Sequence, residues 1–221
     1  MSRTIVYGDI HGCLDEWRQL RQKIGVKAGD CEISVGDLVS KGPKPLETLR
    51  FARNEGIVTV LGNHEEKYLE IASAKRLNEP IESRGQLALF EKLNANDLAY
   101  IFAMPLFIKI DNLTIVHAGL TNSVRLDRLS ADQYSILTRL RYVGAIASEY
   151  RFWSELYNGN QGFVVYGHTP GDVRKDKRSL GIDTGCVYGY KLSAAIFERH
   201  GKGFDCDRAE IVQVAAKERY A

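Results

Sequence analysis

Cysteine is scarce in this chain. Cys13, Cys31, Cys186 and Cys206 are the four among 221 residues, and none forms a Cys-x-x-Cys pair. That spacing excludes a sulfur-rich zinc site. A chain this long can bury enough surface without disulfide staples, so reduced thiols and a cytoplasmic location are expected. Net charge is nearly absent as well, at +2, so neither nucleic acid nor a membrane surface is an expected partner. No apolar run approaches the roughly 18 residues of a membrane span. Arg3 to Tyr7 already read as a strand, leaving no room for a signal peptide. Linkers, repeats and low-complexity segments are missing too, so residues 1–221 are expected to form a single domain. What remains, 44% hydrophobic and 26% charged, is ordinary globular composition.

The first hundred residues alternate strand, loop and helix. Ile5-Val6-Tyr7 is a short apolar strand. Leu14 to Ile24 carries Leu14, Trp17, Leu20 and Ile24 at helical spacing. Cys31 to Val35 reads as a second strand, Pro45 opens a second helix, and Ile57 to Leu61 reads as a third strand. Such alternation predicts an α/β fold with largely parallel pairing. Residues 66–104 are helical in pattern and broken near Asn78-Glu79-Pro80, which predicts a helical insert shaping a substrate pocket. Leu106–Ile110 and Leu113–Val116 flank Asp111-Asn112 as a hairpin. A polar helix is expected from an N-cap at Ser130 to about Tyr150. Gly162–Tyr166, Leu180–Gly185, Lys191–Glu198 and an edge segment Glu210–Val214 complete the strands.

Histidine is the second scarcity, with five residues, and four of them fall where predicted strands end. The strand-end loops carry Asp9 and His11, then Asp37, then Asn63 and His64, then His117, then His168. Any one of these histidines alone reads more readily as a packed core residue, and any one Asp after Gly as a turn former. Five loops of this kind together point elsewhere, because in open α/β sheets the carboxyl ends of strands converge on a ligand. Asp, His and Asn without Cys suit a divalent ion such as Mn(II), with Fe or Zn as alternatives. Seven candidate residues exceed the needs of one ion and suit two, with Asp37 as the bridging carboxylate. His64 is then free to protonate a leaving oxygen.

Gly8-Asp9-Ile10-His11-Gly12, Gly36-Asp37 through Pro43, Gly62-Asn63-His64-Glu65, His117-Ala118-Gly119 and Gly167-His168-Thr169-Pro170 together resemble the calcineurin-like metallophosphoesterases. Within that family they are most similar to the phosphoprotein-phosphatase branch, which includes the symmetrical diadenosine tetraphosphatases. The resemblance implies a central two-sheet β-sandwich flanked by helices and a dinuclear site at its loop end. It places Asp9, His11, Asp37 and His168 on one ion and Asp37, Asn63, His117 and His168 about the other. It makes Asp37 and His64 catalytic, with His64 as general acid beside attack by a metal-bound hydroxide.

Two departures bear on the substrate. The family's protein phosphatases read Asp-Arg-Gly where this chain has Ser40-Lys41-Gly42, and carry Arg where it has Leu61. The missing Asp would orient His64; the missing arginines would fork a phosphate, which Lys41 cannot do bidentately. Lys41, Arg141 and Asn63 are the expected substrate-binding residues, with Arg139 and Arg151 as weaker candidates. Asp183-Thr184-Gly185 is expected as a turn near the site. The expected substrate is a dinucleoside polyphosphate. A phosphomonoester on protein, as for a Ser/Thr phosphatase, is the alternative, and a non-catalytic binding protein on this fold is a distant third.

Overall fold

The computed structural model describes residues 3–130, 133–144, 146 and 149–221. In chain order it contains β1 (Arg3–Tyr7), α1 (Leu14–Ile24), β2 (Cys31–Ser34), α2 (Pro45–Asn54) and β3 (Val58–Thr59). Then follow α3 (Asn63–Leu77), α4 (Arg84–Phe90), α5 (Ala95–Phe102), β4 (Phe107–Ile110) and β5 (Leu113–Val116). The second half holds α6 (Tyr134–Arg139), β6 (Tyr142–Val143), β7 (Arg151–Phe152), α7 (Trp153–Leu156), β8 (Phe163–Tyr166) and β9 (Arg174–Asp176). It ends with β10 (Ser179–Gly181), β11 (Lys191–His200), β12 (Gly203–Phe204) and β13 (Glu210–Ala215).

Strand alternation assigns the layers. In β1, Ile5 and Tyr7 point to one side, where they pack with Trp17 and Leu20 of α1 and Leu49 of α2. Val6 points the other way, into a second cluster with Ile33, Ile115, Val165 and Leu180. β8 repeats the pattern: Phe163 and Val165 face that shared cluster, while Val164 and Tyr166 face Leu137 and Trp153. The result is two stacked sheets with helices outside each, the β-sandwich that the motifs imply.

One sheet runs β12-β11-β1-β2-β3, with β13 also paired to β11; the other runs β4-β5-β8-β10-β9. Each has three parallel strands at its heart, β1-β2-β3 and β5-β8-β10. The expectation of largely parallel pairing is therefore met only in part, because β11, β13, β4 and β9 join antiparallel. The carboxyl ends of all six parallel strands meet at one end of the sandwich.

Helix signals read from sequence mostly hold. α1 has the expected bounds, stopped by Gly25 at φ 62°, and α2 opens on Pro45. Segment 66–104 is helical and breaks where Asn78 caps α3 in left-handed geometry. Its last helix is tied to α2 by Asp97, which completes a capping box with Asn94 and takes hydrogen bonds from Arg50 and Arg53. The long polar helix from Ser130 is not observed. α6 begins after Gln133, and the chain then turns into the β6–β7 hairpin, where Tyr142 packs on Phe152. Residues 131, 132, 145, 147 and 148 of that stretch lie outside the described residues. All four cysteines are free, and no described helix is long and apolar enough to cross a membrane.

The shared cluster sets the stability of the sandwich. Ile115 is fully buried there, so Ile115→Ala is expected to cost about 3 kcal/mol in urea unfolding. Val58 is 46% exposed, and Val58→Ala should cost under about 1 kcal/mol. Equal losses would mean the sheets do not share this core.

Candidate metal centre

Six strand ends deliver the site. β1 leads to Asp9 and His11, β2 to Asp37, β3 to Asn63 and His64, β5 to His117, β8 to His168 and β10 to Asp183. Every metal-ligand candidate named from sequence is brought to this end. His11, Asp37, Asn63, His64, Arg141, His168 and Asp183 line a cavity of about 150 Å³, closed on one side by Lys41 and Tyr188.

Several of these residues hold strained backbone. His11, Asp37 and His168 sit at φ 46°, 52° and 67°, and Ser40 and Lys41 at 74° and 65°. Left-handed backbone is disfavoured for residues with a Cβ, and such residues cluster at functional sites. Close approach is equally tight: a Cβ on Gly167 would stand 2.0 Å from Asp9 Oδ1, and one on Gly62 would stand 2.3 Å from Asp37 Oδ1.

Glu65 is what holds the Asp37 turn. It is fully buried, and its carboxylate accepts from the backbone N–H groups of Asp37, Leu38 and Val39 at 2.8, 2.8 and 3.1 Å. Glu65 closes the Gly62-Asn63-His64-Glu65 motif, which by itself assigns it no task. Its place in the first turn of α3 is the available signal, since carboxylates favour helix N-termini.

Asp37 lies between two imidazoles. Its Oδ2 is 3.4 Å from His11 Nε2, and its Oδ1 is 3.5 Å from His117 Nε2. His11 Nδ1 is turned to the Val39 carbonyl at 3.1 Å, and His117 Nδ1 to the Val35 carbonyl at 2.8 Å. Each carbonyl claims the ring's N–H, which leaves the Nε2 lone pairs facing the Asp37 oxygens. The Asn63 side-chain oxygen is 3.0 Å from His117 Nε2 and 2.9 Å from His168 Nδ1. Two overlapping ligand groups result, His11–Asp37–His64 and Asp37–His117–His168, with Asp37 common to both. Asp9 is turned differently: both its oxygens accept from the His168 N–H, at 3.1 and 3.2 Å.

Burial drives the electrostatics. Desolvation pushes Asp9 well above the usual carboxylate range, with Asp183 and Asp37 adding repulsion. It takes Asp37 up to about 7 and Glu65 to about 7, and Asp183 to about 6. It lowers the histidines: His117 to about 4, His64 to about 3, His168 to about 2, and His11 well below its ordinary value. Neutral imidazoles and desolvated carboxylates, acceptors turned on one another, form a donor set that fits divalent cations. Lys41 shows the same attraction, with its Nζ 3.1 Å from His11 Nε2.

The substrate-binding candidates divide. Lys41 reaches the cavity and also donates to Tyr188 Oη at 2.9 Å. Arg141 reaches it too, with Nη2 3.4 Å from the His168 carbonyl. Arg139 is instead paired with Glu66, and Arg151 lies in the β6–β7 hairpin. No lining residue belongs to segment 66–104, so the expectation that the insert shapes this pocket is not met. Tyr188, which no sequence signal marked, supplies that wall.

Residues 2–205 match the family model described as calcineurin-like phosphoesterase. This chain belongs to that family. Membership implies divalent metal ions and phosphatase-type hydrolysis. A Bacillus subtilis protein named bis(5'-nucleosyl)-tetraphosphatase PrpE, asymmetrical, is 31% identical over 87% of this chain and 89% of its own length. A Nitrosococcus oceani symmetrical bis(5'-nucleosyl)-tetraphosphatase is 38% identical, over 51% of this chain and 42% of its own. Among solved structures, a candidate diadenosine tetraphosphatase superposes with TM-score 0.78 at 27% identity, covering 97% of this chain and 94% of the other. A Saccharomyces cerevisiae serine/threonine phosphatase, at 16% identity, TM-score 0.68 and coverage of 99% and 81%, shares the fold.

Two expectations follow. Glu65→Ala removes the acceptor for three buried N–H groups and should weaken Mn(II) binding by about 10- to 100-fold in calorimetric titration; unchanged affinity would deny Glu65 its hold on the turn. Because Asp37 is raised to about 7, cation binding at pH 6 must displace its proton, while the neutral histidines have none to give. Apparent Mn(II) affinity should therefore rise with pH between 5 and 7, with proton release detected in buffers of different ionisation enthalpy. Affinity independent of pH between 5 and 7 would contradict it.

Proposed function

We propose that this chain is a two-metal phosphohydrolase that cleaves a phosphoric anhydride bond in dinucleoside polyphosphates. Asp9, His11 and Asp37 would hold one ion, and Asp37, Asn63, His117 and His168 the other. A divalent pair, Mn(II) by preference, supplies neutralisation of phosphoryl oxygens and water of lowered pKa. The residues do the rest. Arg141 and Lys41 bring positive charge to the cavity wall and position the phosphoryl group. Asp37 orients the centre by facing both halves with one carboxylate. His64, beside Asn63 at the start of α3, faces the leaving oxygen. A water oxygen bonds to phosphorus, losing its proton to solvent, as the bridging P–O bond breaks, and the leaving phosphate takes the electron pair.

One observation carries the choice of substrate. His64 Nδ1 is buried and has no hydrogen-bond partner among the described residues. Ser40 stands where the resembled protein phosphatases carry the aspartate that orients this histidine, and it offers no carboxylate. With no carboxylate behind it, His64 is poorly equipped to deliver a full proton. A serine alkoxide leaving a phosphoprotein needs that proton far more than a nucleotide phosphate leaving an anhydride. The PrpE relatives, which align over most of their length, support asymmetrical cleavage of diadenosine tetraphosphate to ATP and AMP.

Turnover with Mn(II) should favour diadenosine tetraphosphate over a phosphoserine peptide by about 100-fold or more in kcat/KM, a transition-state difference of roughly 3 kcal/mol, with ATP and AMP resolved by chromatography. Faster cleavage of the peptide would overturn the reading, and two ADP would replace asymmetrical with symmetrical cleavage. His64→Asn should lower kcat by about 100-fold, the low end of general-acid effects. An unchanged kcat would remove His64 from the reaction.

A further inference from the structure

The catalytic cavity, about 150 Å³, is too small for more than phosphoryl groups. Ligand pockets usually run from about 300 Å³ upward. Beside it lies a groove of about 880 Å³, and Pro170 and Tyr188 line both. Its walls are the 170–173 loop and the turn from Tyr188 to Lys191, with Gln213 and Ala215 of β13 beneath.

Two tyrosines and a proline gather over one glycine. Measured from the position of a Cβ on Gly185, Tyr190 Cδ2 is 3.0 Å away, Pro170 Cβ 3.5 Å and Tyr188 Cδ2 3.6 Å. Gly185 takes φ 65°, which an L side chain rarely adopts. The backbone beneath is pinned: Tyr188 N–H and Tyr190 N–H both donate to the Gly185 carbonyl, and Ala216 N–H donates to the Tyr190 carbonyl. Tyr190 is nevertheless 68% exposed. Tyr188 is held by its hydroxyl, which accepts from Lys41, and Lys41 Nζ stands 5.2 Å from its ring centre. A large exposed aromatic face on a fixed turn beside a phosphate-sized cavity is a stacking platform. Asp172 at the rim offers an acceptor for an exocyclic amine.

We propose that this groove is the nucleoside subsite, in which a purine base of the substrate stacks on Tyr190 while its phosphates pass Tyr188 and Lys41 into the metal centre. The proposal rests on the dinucleoside-polyphosphate reading above and deepens it. Tyr188 sits at the junction, so one side chain both closes the phosphate cavity and opens the base groove.

The test uses the whole chain. Tyr190→Ala should raise KM for diadenosine tetraphosphate by roughly 10-fold, the scale of one lost base–aromatic stack, and leave kcat within twofold. Tyr190→Phe should retain the wild-type KM. Inorganic tripolyphosphate, which has no base, should show no change in either variant. Independently of turnover, 8-azido-ATP irradiated with the wild-type protein should label the peptide spanning Tyr188–Lys191, as located by mass spectrometry. Labelling there without hydrolysis of diadenosine tetraphosphate upholds the base subsite and overturns the proposed substrate. Hydrolysis with unchanged KM in Tyr190→Ala, or with the label elsewhere, overturns the subsite and leaves the proposed reaction standing.

Discussion

The arrangement depends on one carboxylate gripping three consecutive backbone amides. Glu65 meets the N–H groups of Asp37, Leu38 and Val39 in a place with no water to replace it. That grip fixes a turn in which Asp37 itself is left-handed, and the turn then dictates much of the rest. The Val39 carbonyl it presents sets the tautomer of His11. The Asp37 side chain accepts from the His64 N–H at 3.0 Å, so the turn and the start of α3 position each other. A residue outside the ligand set thus decides how several ligands point.

Much of this was legible in the chain, because the informative residues are local. A strand that stops at a Gly-containing loop bearing Asp, His or Asn can be read from a few neighbours. All the ligand candidates were found that way, as were α1 and the Pro45 start of α2. What was not legible depends on distant partners. Tyr188 carries no spacing signal; only stacking of the β10–β11 turn over the β2 loop brings it to Lys41. The antiparallel flanks could not be read either, since β11 runs beside β1 although nearly two hundred residues separate Arg3 from its partner Glu198. The helix expected from Ser130 failed for a different reason. Tyr142, Val143 and Phe152 favour strands, and their mutual packing outweighed a polar pattern that merely permitted a helix.

The departures from the protein phosphatases are also structurally coherent. With Ser40 in place of an aspartate, His64 Nδ1 has no hydrogen-bond partner among the described residues, and Lys41 in place of an arginine turns towards Tyr188. One short loop therefore changes two things together: the support behind the histidine and the wall beside the phosphate.

Asp9, His11, Asp37 and Asn63 follow strands of one sheet, while His117 and His168 follow strands of the other. An ion held by both sets would act as a rivet through the sandwich, adding stability in proportion to how far its concentration exceeds its dissociation constant. The same linkage runs backwards. Substitutions deep between the sheets, far from any phosphate, would loosen the rivet and register as a demand for more metal. A screen for variants that regain activity when metal is supplied in excess would then map the buried seam as well as the mouth of the site.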